Sequence, residues 1–286
     1  MIPKVIHYCW FGGKEKPESV IKCIESWKEF CPDYEIKEWN ENNFDINAND
    51  YVKEAYQNSF WAFVSDYARF SILYKYGGLY FDTDVELIDT IDDLVEEGPF
   101  FARERKDKLV VATGLGMGAL PGMDVYKEVL DYYDSMHFVY EDGTFNKKTV
   151  VDHVTKVLIK NPNEYKNTDT VFKIQDISIY PKDYFCPIDY LTGDWEYTEN
   201  TRGIHHYDST WLSEGEKEIN RKVREVNKKY GHKISLAYKL LLETDSAYKE
   251  GGLRASLHHI RIRMIPHINK GMTESFSNLH DEQNVR

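Results

Sequence analysis

The most apolar stretch of the chain, residues 59–76 (SFWAFVSDYARFSILYKY), constrains the fold more than any other segment. It is hydrophobic on nearly all sides, which predicts a helix buried within the core. Gly77 and Gly78 end this helix, and the apolar segment LYFDTD follows directly as a predicted strand. A buried helix that leads straight into a strand is expected in an α/β domain.

The first 40 residues also alternate between strand and helix patterns. Residues 3–11 and 34–39 have the composition of strands, and the first of these is apolar enough to be buried. Between them, residues 17–30 begin with Pro17 at an early helical position and repeat apolar residues at helical spacing. A strand, a helix and a strand within about 40 residues predict a βαβ unit and a parallel sheet.

The second half of the chain alternates less regularly. Its predicted elements are helices over 124–138, 149–160 and 213–231, a strand over 177–188 that Pro181 breaks, and a strand end with a loop over 203–211. We expect an α/β domain over residues 1–231, followed by a helical and partly basic extension over residues 232–286.

The length, charge and aromatic content of the chain limit the domain organisation and the kinds of molecule that it is expected to bind. A chain of 286 residues suits one large α/β domain with an appendage. Its net charge of −12 argues against nucleic acid as a partner, since phosphate contacts need clustered lysines and arginines. The 21 Tyr, 14 Phe and 6 Trp suit a ligand that stacks on aromatic rings, such as a sugar or a base.

The four cysteines, Cys9, Cys23, Cys31 and Cys186, form no CxxC pair. The first ten residues, MIPKVIHYCW, lack the apolar region of a signal peptide, and no apolar run is long enough to span a bilayer. We therefore expect a cytoplasmic protein whose thiols are reduced and unpaired.

Three carboxylates, Asp82, Asp84 and Glu86, alternate with uncharged residues at the end of the apolar strand. On one continuous strand they would share a face about 6–7 Å apart, where repulsion and partial burial are unfavourable. A bound cation offsets both costs, so a metal site is favoured over a solvated turn. An EF-hand is excluded because Leu87 and Asp93 stand where its glycine and its glutamate belong. Ligands bind at such strand ends in open α/β sheets.

Asp66 and Arg69 are charged residues within the buried helix, three positions apart and therefore on one face. A structural ion pair is one interpretation, because buried charges are usually paired. In the other, Asp66 accepts hydrogen bonds from ligand hydroxyls while Arg69 holds Asp66 or a phosphate. The two interpretations are compatible.

Two glycine-containing segments indicate close approach of the backbone to a neighbour. Trp10 precedes Gly12 and Gly13 at the end of the first strand, where it is either a core residue or a platform for a base. Residues 113–119 (TGLGMGA) lack the Lys-Ser/Thr of a P-loop. We interpret them as a loop that approaches either a ligand or the sheet closely.

The segment GIHHYDSTW contains His205 and His206, which are ordinary strand residues on one interpretation. On the other, His206 and Ser209 supply a nitrogen and an oxygen ligand to a metal, and Trp211 supplies a stacking ring. Waters or phosphate oxygens would then fill the remainder of an Mn²⁺ or Mg²⁺ shell.

Together, the segments IPKVIHYCWFGG, WAFVSDYARFSILYKYGGLYFDTDVE and GIHHYDSTW resemble the pattern of glycosyltransferase family 32, whose sugar transferases contain a DxD motif. More specifically, they resemble its bacterial branch, associated with capsular and exopolysaccharide synthesis, and the resemblance covers roughly residues 1–211. It implies an α/β fold of GT-A type, a Rossmann-like nucleotide-sugar-binding domain, here with a helical C-terminal extension.

The catalytic core is also similar to that of the clostridial glucosylating toxins, whose motif positions imply roles for the donor site. By this resemblance, Trp10 stacks on the nucleotide base. Asp66 and Arg69 bind the donor sugar, and Tyr80 and Asp82 lie around the ribose, the sugar and the metal.

The same resemblance implies a metal centre. Asp84 corresponds to the direct metal ligand, with Asp82 beside it, and His206 and Ser209 correspond to further residues of the metal shell. Trp211 keeps the spacing of a donor-binding tryptophan. The toxins have a glutamate at the position of His206; a histidine still suits Mn²⁺, which is favoured, with Mg²⁺ as the alternative.

The resemblance implies a retaining glycosyltransferase that moves a hexose from a nucleotide-sugar, with a UDP-sugar favoured. The implied acceptor is a glycan or a lipid-linked oligosaccharide in capsular or extracellular polysaccharide synthesis. The alternatives are an effector-type enzyme with a protein acceptor, a metal-dependent sugar-binding module without transfer, and a nucleotide-sugar hydrolase. No residue stands out as a nucleophile or a general base.

A basic stretch over residues 249–270 interleaves cationic and apolar residues. One interpretation is a helix that packs on the core. The other is peripheral contact with the inner face of the cytoplasmic membrane, where cationic side chains meet anionic lipids.

Overall fold

The structure is a computed structural model, and it describes residues 1–105, 109–160, 170–188, 194–208, 214–231, 234–246 and 248–249. The chain divides into two compact units, the first of which comprises Met1–Asp189 and Asp194–Trp211. The basic stretch begins at Lys249 and otherwise lies outside the described residues, as do Ser209 and Trp211.

The first unit combines short strands with helices. The described strands are β1 (Val5–Cys9), β2 (Glu35–Trp39), β3 (Gly78–Tyr80), β4 (Val85–Leu87), β5 (Phe100–Ala102), β6 (Met117–Ala119), β7 (Phe172–Ile174), β8 (Ile177–Tyr180) and β9 (Gly203–His205). The helices are α1 (Glu18–Phe30), α2 (Asp50–Gln57), α3 (Trp61–Tyr76), α4 (Asp92–Glu97), α5 (Asp124–Asp134) and α6 (Val150–Leu158).

Seven strands form one mixed sheet in the order β2-β1-β3-β6-β5-β8-β7. Strand β1 pairs in parallel with β2 and with β3, and β5 pairs in parallel with β8, whereas β6 runs antiparallel to both of its neighbours. Strands β4 and β9 form a separate antiparallel pair. The predicted α/β class and its initial βαβ unit are confirmed.

Neighbouring residues of the central strands pack into two different hydrophobic clusters, because successive side chains of a strand point to opposite faces. Leu79 and Phe100 join the cluster that includes α1, whereas Tyr80 and Phe101 join the cluster that includes α2, α3, α5 and α6. The sheet is therefore covered on both faces, as a parallel-rich sheet requires.

Helix α3 is the buried helix that its composition predicts. Nine of its residues are buried, and they include both charged residues of its middle turns, Asp66 and Arg69. Gly77 ends the helix with a φ of 65°, and its N–H donates to Leu73 O. A Cβ at Gly77 would lie 2.7 Å from Pro121, so a larger residue does not fit at this end.

The predicted continuous strand through the carboxylates is wrong. Strand β3 ends at Tyr80, Thr83 and Asp84 form a turn, and Glu86 lies on β4. The backbone N–H of Asp82 donates to Gly114 O, and that of Val85 donates to Asp82 O. With these bonds the backbone N–H groups of Asp82 and Val85 leave the strand-to-strand hydrogen bonding of the central sheet. The three carboxylates therefore do not share one strand face.

The remaining elements follow the predictions with small differences. Helix α5 ends at Asp134 instead of residue 138, and Pro181 ends β8 as predicted, with a short 3-10 helix over Lys182–Tyr184 behind it. The four cysteines are free, as expected, and the structure also shows that all four are buried.

The second unit contains helix α7 (Glu214–Tyr230) and a further helical stretch over residues 234–246. The predicted helical character of the extension holds for its described part, and the domain boundary at residue 231 stays a prediction. None of the helices that the structure describes combines the length and apolar composition needed to cross a membrane.

Candidate active site

Arg69 lies between two carboxylates that come from different parts of the chain. Its Nη2 is 3.1 Å from Asp66 Oδ1 on the same helix and 3.1 Å from Asp82 Oδ1, while Nη1 donates to Asp82 Oδ2 at 3.2 Å. The guanidinium is bidentate towards Asp82, the geometry in which arginine binds carboxylates best. The pair predicted on α3 is therefore one half of a network that also fixes the first DxD aspartate.

Tyr80 adds a third contact to this network. Its hydroxyl donates to Asp82 Oδ1 at 3.0 Å, and its ring lies 4.7 Å from the guanidinium carbon of Arg69. Tyr80 is 1% exposed, whereas the Asp82 side chain is 30% exposed. The buried partners therefore present Asp82 at the surface in one orientation.

Burial changes the titration of the network. It raises the pKa of the Asp66 carboxyl to about 7, although the charge of Arg69 acts in the opposite direction. Burial also opposes the charge of Arg69, but Asp82, Tyr80 and Asp66 together hold its pKa above the ordinary value. The permanently charged Arg69 thus pairs with both Asp66 and Asp82. The Asp66 carboxyl has a pKa at which it can donate or accept a hydrogen bond near neutral pH.

The glycine-rich loop predicted to approach a neighbour closely reaches Asp82. A Cβ on Gly114 would lie 1.9 Å from Asp82 Oδ2 and 3.4 Å from Arg69 Nη1, and Gly114 O accepts the N–H of Asp82. No side chain fits between this loop and the carboxylate. Gly114 is thus required for the position of the first DxD aspartate.

Replacing Gly114 by alanine is expected to lower the free energy of unfolding by about 1–3 kcal/mol, because either the loop or Asp82 must move. Urea denaturation measures this change. The matched comparison is the same substitution in an Asp82→Ala background, where the clashing carboxylate is gone and the cost should fall. Equal costs in both backgrounds would contradict the close approach.

Asp84 is held by the segment that follows β9. Its Oδ1 lies 3.3 Å from His205 Nε2, its Oδ2 accepts the N–H of Asp208 at 3.1 Å, and its backbone O accepts the N–H of His206. Burial raises the pKa of the Asp84 carboxyl, but His205 and the Asp208 N–H outweigh it and hold the pKa below its usual range. Asp84 therefore remains an anion.

The two adjacent histidines have different partners. His205 contacts Asp84, whereas His206 Nε2 lies 2.7 Å from Glu86 Oε2. The pairing of β9 with β4 aligns His205 with Val85, and successive side chains then point to opposite sides. The structure brings His205, not His206, to the second DxD aspartate, and the metal role of His206 stays a prediction.

The ligand types around Asp84 fit a hard divalent cation. Glu86 follows Asp84 by two residues, and the N–H of Asp208 contacts Asp84 Oδ2 at 3.1 Å, so the surroundings of Asp84 are rich in acidic residues. Carboxylate oxygens with one imidazole suit Mn²⁺ or Mg²⁺. Among the described residues, no three His, Cys, Asp or Glu side chains are close enough to form a metal-binding group by themselves. The ionised Asp84 carboxylate fits a ligand of such a cation, whereas His205 Nε2 is directed at Asp84 itself.

Trp10 lies at the same sheet edge as the DxD segment. Strands β1 and β3 pair in parallel with His7 opposite Tyr80, so Trp10 and Asp82 both follow the carboxyl ends of neighbouring strands. The Trp10 indole is partly buried, and its Nε1 donates to Lys14 O at 2.7 Å. Its contact with a base stays a prediction, as do the roles of Ser209 and Trp211.

Sequence reasoning missed three residues of this arrangement: Gly114 as a neighbour of Asp82, His205 as the partner of Asp84, and Asp208 as a backbone donor. The glycine-rich loop was a usable signal, although it did not indicate which glycine makes the close approach. No comparable sequence signal pointed to His205, since only the register of β9 distinguishes it from His206.

A protein-family model matches residues 17–101, and its description is a glycosyltransferase sugar-binding region containing a DXD motif. The matched segment includes Asp66, Arg69, Tyr80, Asp82 and Asp84. The network around Arg69 therefore lies within the matched segment, apart from the approach of Gly114.

Two curated proteins are similar in sequence. Inositol phosphoceramide mannosyltransferase 3 of Schizosaccharomyces pombe is 36% identical over 98 residues, which are 33% of this chain and 27% of that protein. An uncharacterized glycosyltransferase of Acanthamoeba polyphaga mimivirus is 28% identical over 199 residues, or 65% of this chain and 74% of that protein. The chain thus spans about a quarter of the length of the first relative and about three quarters of the second.

Two solved structures are similar at low sequence identity. The PaToxG glycosyltransferase has a TM-score of 0.44 at 18% identity, covering 56% of this chain and 69% of that chain. A glycosyltransferase involved in glycosylation of the major capsid of PBCV-1 has a TM-score of 0.41 at 12% identity, covering 78% of this chain and 100% of that chain.

Proposed function

We propose that this chain, which contains a DXD-type glycosyltransferase sugar-binding region, is a metal-dependent glycosyltransferase that moves a hexose from a nucleotide-sugar to a glycan acceptor. The single observation that carries the proposal is the network in which Arg69 joins Asp66 on α3 to the first DxD aspartate, Asp82. It presents Asp82, backed by the buried Asp66, just beyond the carboxyl end of β3, where open α/β folds bind ligands.

The network supports a donor-sugar site in which geometry is fixed before binding. Asp66 and Asp82 offer oxygen atoms to sugar hydroxyls, and Arg69 and Tyr80 prevent these carboxylates from rotating. Such fixed polar groups orient a substrate without reorganisation during the reaction. The resemblance to the glucosylating toxins assigns the same positions to the donor sugar.

The proposed metal centre lies at Asp84. Asp84 would hold a divalent cation, Mn²⁺ in preference to Mg²⁺, and Asp82, His206 and Ser209 are the further candidates for its shell. When bound, the cation neutralises charge that develops on the leaving nucleoside diphosphate. The chain's own contribution is to keep Asp84 ionised and oriented, through His205 and the N–H of Asp208.

The finer features of the reaction follow from the family resemblance. We propose a retaining transfer with a UDP-sugar favoured as donor, in which the acceptor hydroxyl enters from the side of the leaving group. The sequence motifs single out no separate nucleophile. A role in capsular or extracellular polysaccharide synthesis is part of the same proposal, as are a GT-A type fold and peripheral membrane contact through residues 249–270.

The proposal predicts slow release of one nucleoside diphosphate from a panel of nucleotide-sugars when Mn²⁺ is present and no acceptor is added. Removing the metal with EDTA should abolish this release, because Asp84 would lose the cation that stabilises the leaving group. Chromatographic detection of UDP and GDP names the donor in the same experiment. Release that continues unchanged in EDTA would contradict metal dependence.

Acceptor and product analysis separates the alternatives. Full-rate release of free sugar without an acceptor would indicate a hydrolase, and donor binding without any release, even with glycan and protein acceptors, would indicate a binding module. Transfer to a protein hydroxyl instead of a glycan would indicate the effector-type enzyme.

A further inference from the structure

Trp195 and Tyr197 form an exposed aromatic pair on the segment before β9. Their ring centroids are 5.4 Å apart and their planes differ by 15°, so the two rings stack. Trp195 is 51% exposed and Tyr197 is 55% exposed. Stacking covers one face of each ring, which leaves aromatic surface open to solvent. Adjacent large exposed aromatics are unusual on a surface that binds nothing.

The segment that holds the pair is fixed by hydrogen bonds between the two aromatic residues and beyond them. The N–H of Glu196, between the two aromatics, donates to Pro187 O at 2.9 Å. Beyond the pair, Thr198 Oγ1 and Asn200 Nδ2 both donate to Asp183 Oδ2, at 2.8 and 3.2 Å. The rings are therefore held in place before any ligand arrives, which lowers the entropic cost of binding.

The pair lies on the side of the candidate active site. Its segment leads directly into β9, whose His205 contacts Asp84, and β9 pairs with the strand of Glu86. Trp195 pairs with Ile188, and Cys186, two residues before Ile188, contacts the hydroxyl of Tyr207 at 2.9 Å, which places the pair near the segment that follows β9. Glu86 and its partner His206 are both about one third exposed.

We propose that Trp195 and Tyr197 are a stacking platform for a pyranose ring of the acceptor glycan, beside the carboxylate of Glu86. This inference rests on the proposed transferase function. A pyranose presents a face of C–H groups to an aromatic ring and directs hydroxyls outward, where a carboxylate can bind them. The charge favours a neutral sugar over the donor nucleotide, because Glu86 repels a diphosphate but accepts hydrogen bonds from hydroxyls.

The platform is tested with three neutral disaccharides as probes: maltose, cellobiose and lactose. Saturation-transfer NMR titrations of the full chain are expected to detect binding of at least one, with contacts to aromatic protons. The double variant Trp195→Leu/Tyr197→Leu keeps apolar bulk but lacks aromatic faces, and it should bind that probe at least about tenfold more weakly. The variant Trp195→Phe/Tyr197→Phe keeps both rings and should retain most of the affinity.

The matched control is Tyr140→Leu, which removes a tyrosine that is 50% exposed in the hairpin where Val139 pairs with Phe145. It should bind the probe as the wild type does. Binding of none of the three disaccharides by the wild type, or equal binding by the double leucine variant, would overturn the proposal. So would equal weakening in the Tyr140 control, since the loss would then not be specific to the pair.

A second titration, with UDP and GDP in the presence of Mn²⁺, distinguishes an acceptor platform from a base platform. The double leucine variant should bind both nucleotides with unchanged affinity. A tenfold loss of nucleotide affinity would overturn the acceptor assignment in favour of the donor base. If the wild type binds disaccharides through the pair but releases no nucleoside diphosphate from any donor, even with acceptors, the proposed transferase function fails while the sugar platform stands.

Discussion

Replacing Asp84 by asparagine is expected to lower metal-dependent donor turnover by about 100- to 1,000-fold while the fold is retained. An amide has nearly the shape of a carboxylate but carries no charge, so it cannot hold a divalent cation as strongly. The contacts to His205 and to the Asp208 N–H remain sterically possible. Release of the nucleoside diphosphate measures the loss, and Mn²⁺ binding followed by electron paramagnetic resonance provides a readout that does not depend on activity.

The control for this prediction is Asp89→Asn, five residues further along the chain. The Asp89 side chain is 56% exposed, and its ion pair with Arg202 has a long separation of 3.9 Å. Neutralising it removes one negative charge from the same region without affecting the proposed metal ligands, so turnover and Mn²⁺ affinity should stay within about twofold. Equal losses in the two variants would mean that Asp84 acts only through the general negative potential of the site.

Replacing Arg69 by methionine is expected to lower the free energy of unfolding by about 3–5 kcal/mol. Methionine fills most of the volume of the side chain, so the loss comes from charge and hydrogen bonding more than from a cavity. Asp66, at 7% exposure, would lose the cation that binds it, and Asp82 would lose its bidentate partner. Urea-induced unfolding followed by circular dichroism measures the change, and the same variant should lose donor turnover because Asp82 is no longer held.

A second substitution on the same helix tests the reason for this loss. Adding Asp66→Asn to Arg69→Met removes the uncompensated buried acid, and the double variant should regain part of the stability.

The surface control is Arg221→Met on α7. Arg221 also contacts two carboxylates, Glu218 and Glu225, but its side chain is 56% exposed. Exposed pairs contribute little, so this change should barely alter unfolding. Equal effects at Arg69 and Arg221 would contradict a buried network.

The sequence predicted most of the framework of the site because local patterns specify it. The apolar helix, its glycine end and the βαβ unit depend on periodicity and on glycine and proline, which act over a few residues. The pairing of Asp66 with Arg69 is of the same kind, since a separation of three residues places both side chains on one helix face. These features do not require knowledge of distant parts of the chain.

The prediction for the carboxylates was wrong where it extended a local pattern too far. Alternation over Asp82, Asp84 and Glu86 suggested one strand face, but a turn at Thr83 and Asp84 separates them. The turn forms because Gly114, more than thirty residues away in the sequence, accepts the backbone N–H of Asp82 in place of a neighbouring strand. Short-range alternation cannot reveal such a long-range hydrogen bond.

What the sequence by itself determined is the α/β class, the buried charged helix and the DxD segment at the edge of the sheet. Only the tertiary structure decided that Arg69 binds Asp82, that Gly114 must lack a side chain, and that His205 faces Asp84 while His206 faces Glu86. These contacts join segments separated by 13 to 121 positions, and the pairing of β4 with β9 selects between two adjacent histidines. A shift of one residue in that register would exchange their partners, because successive side chains of a strand point to opposite sides.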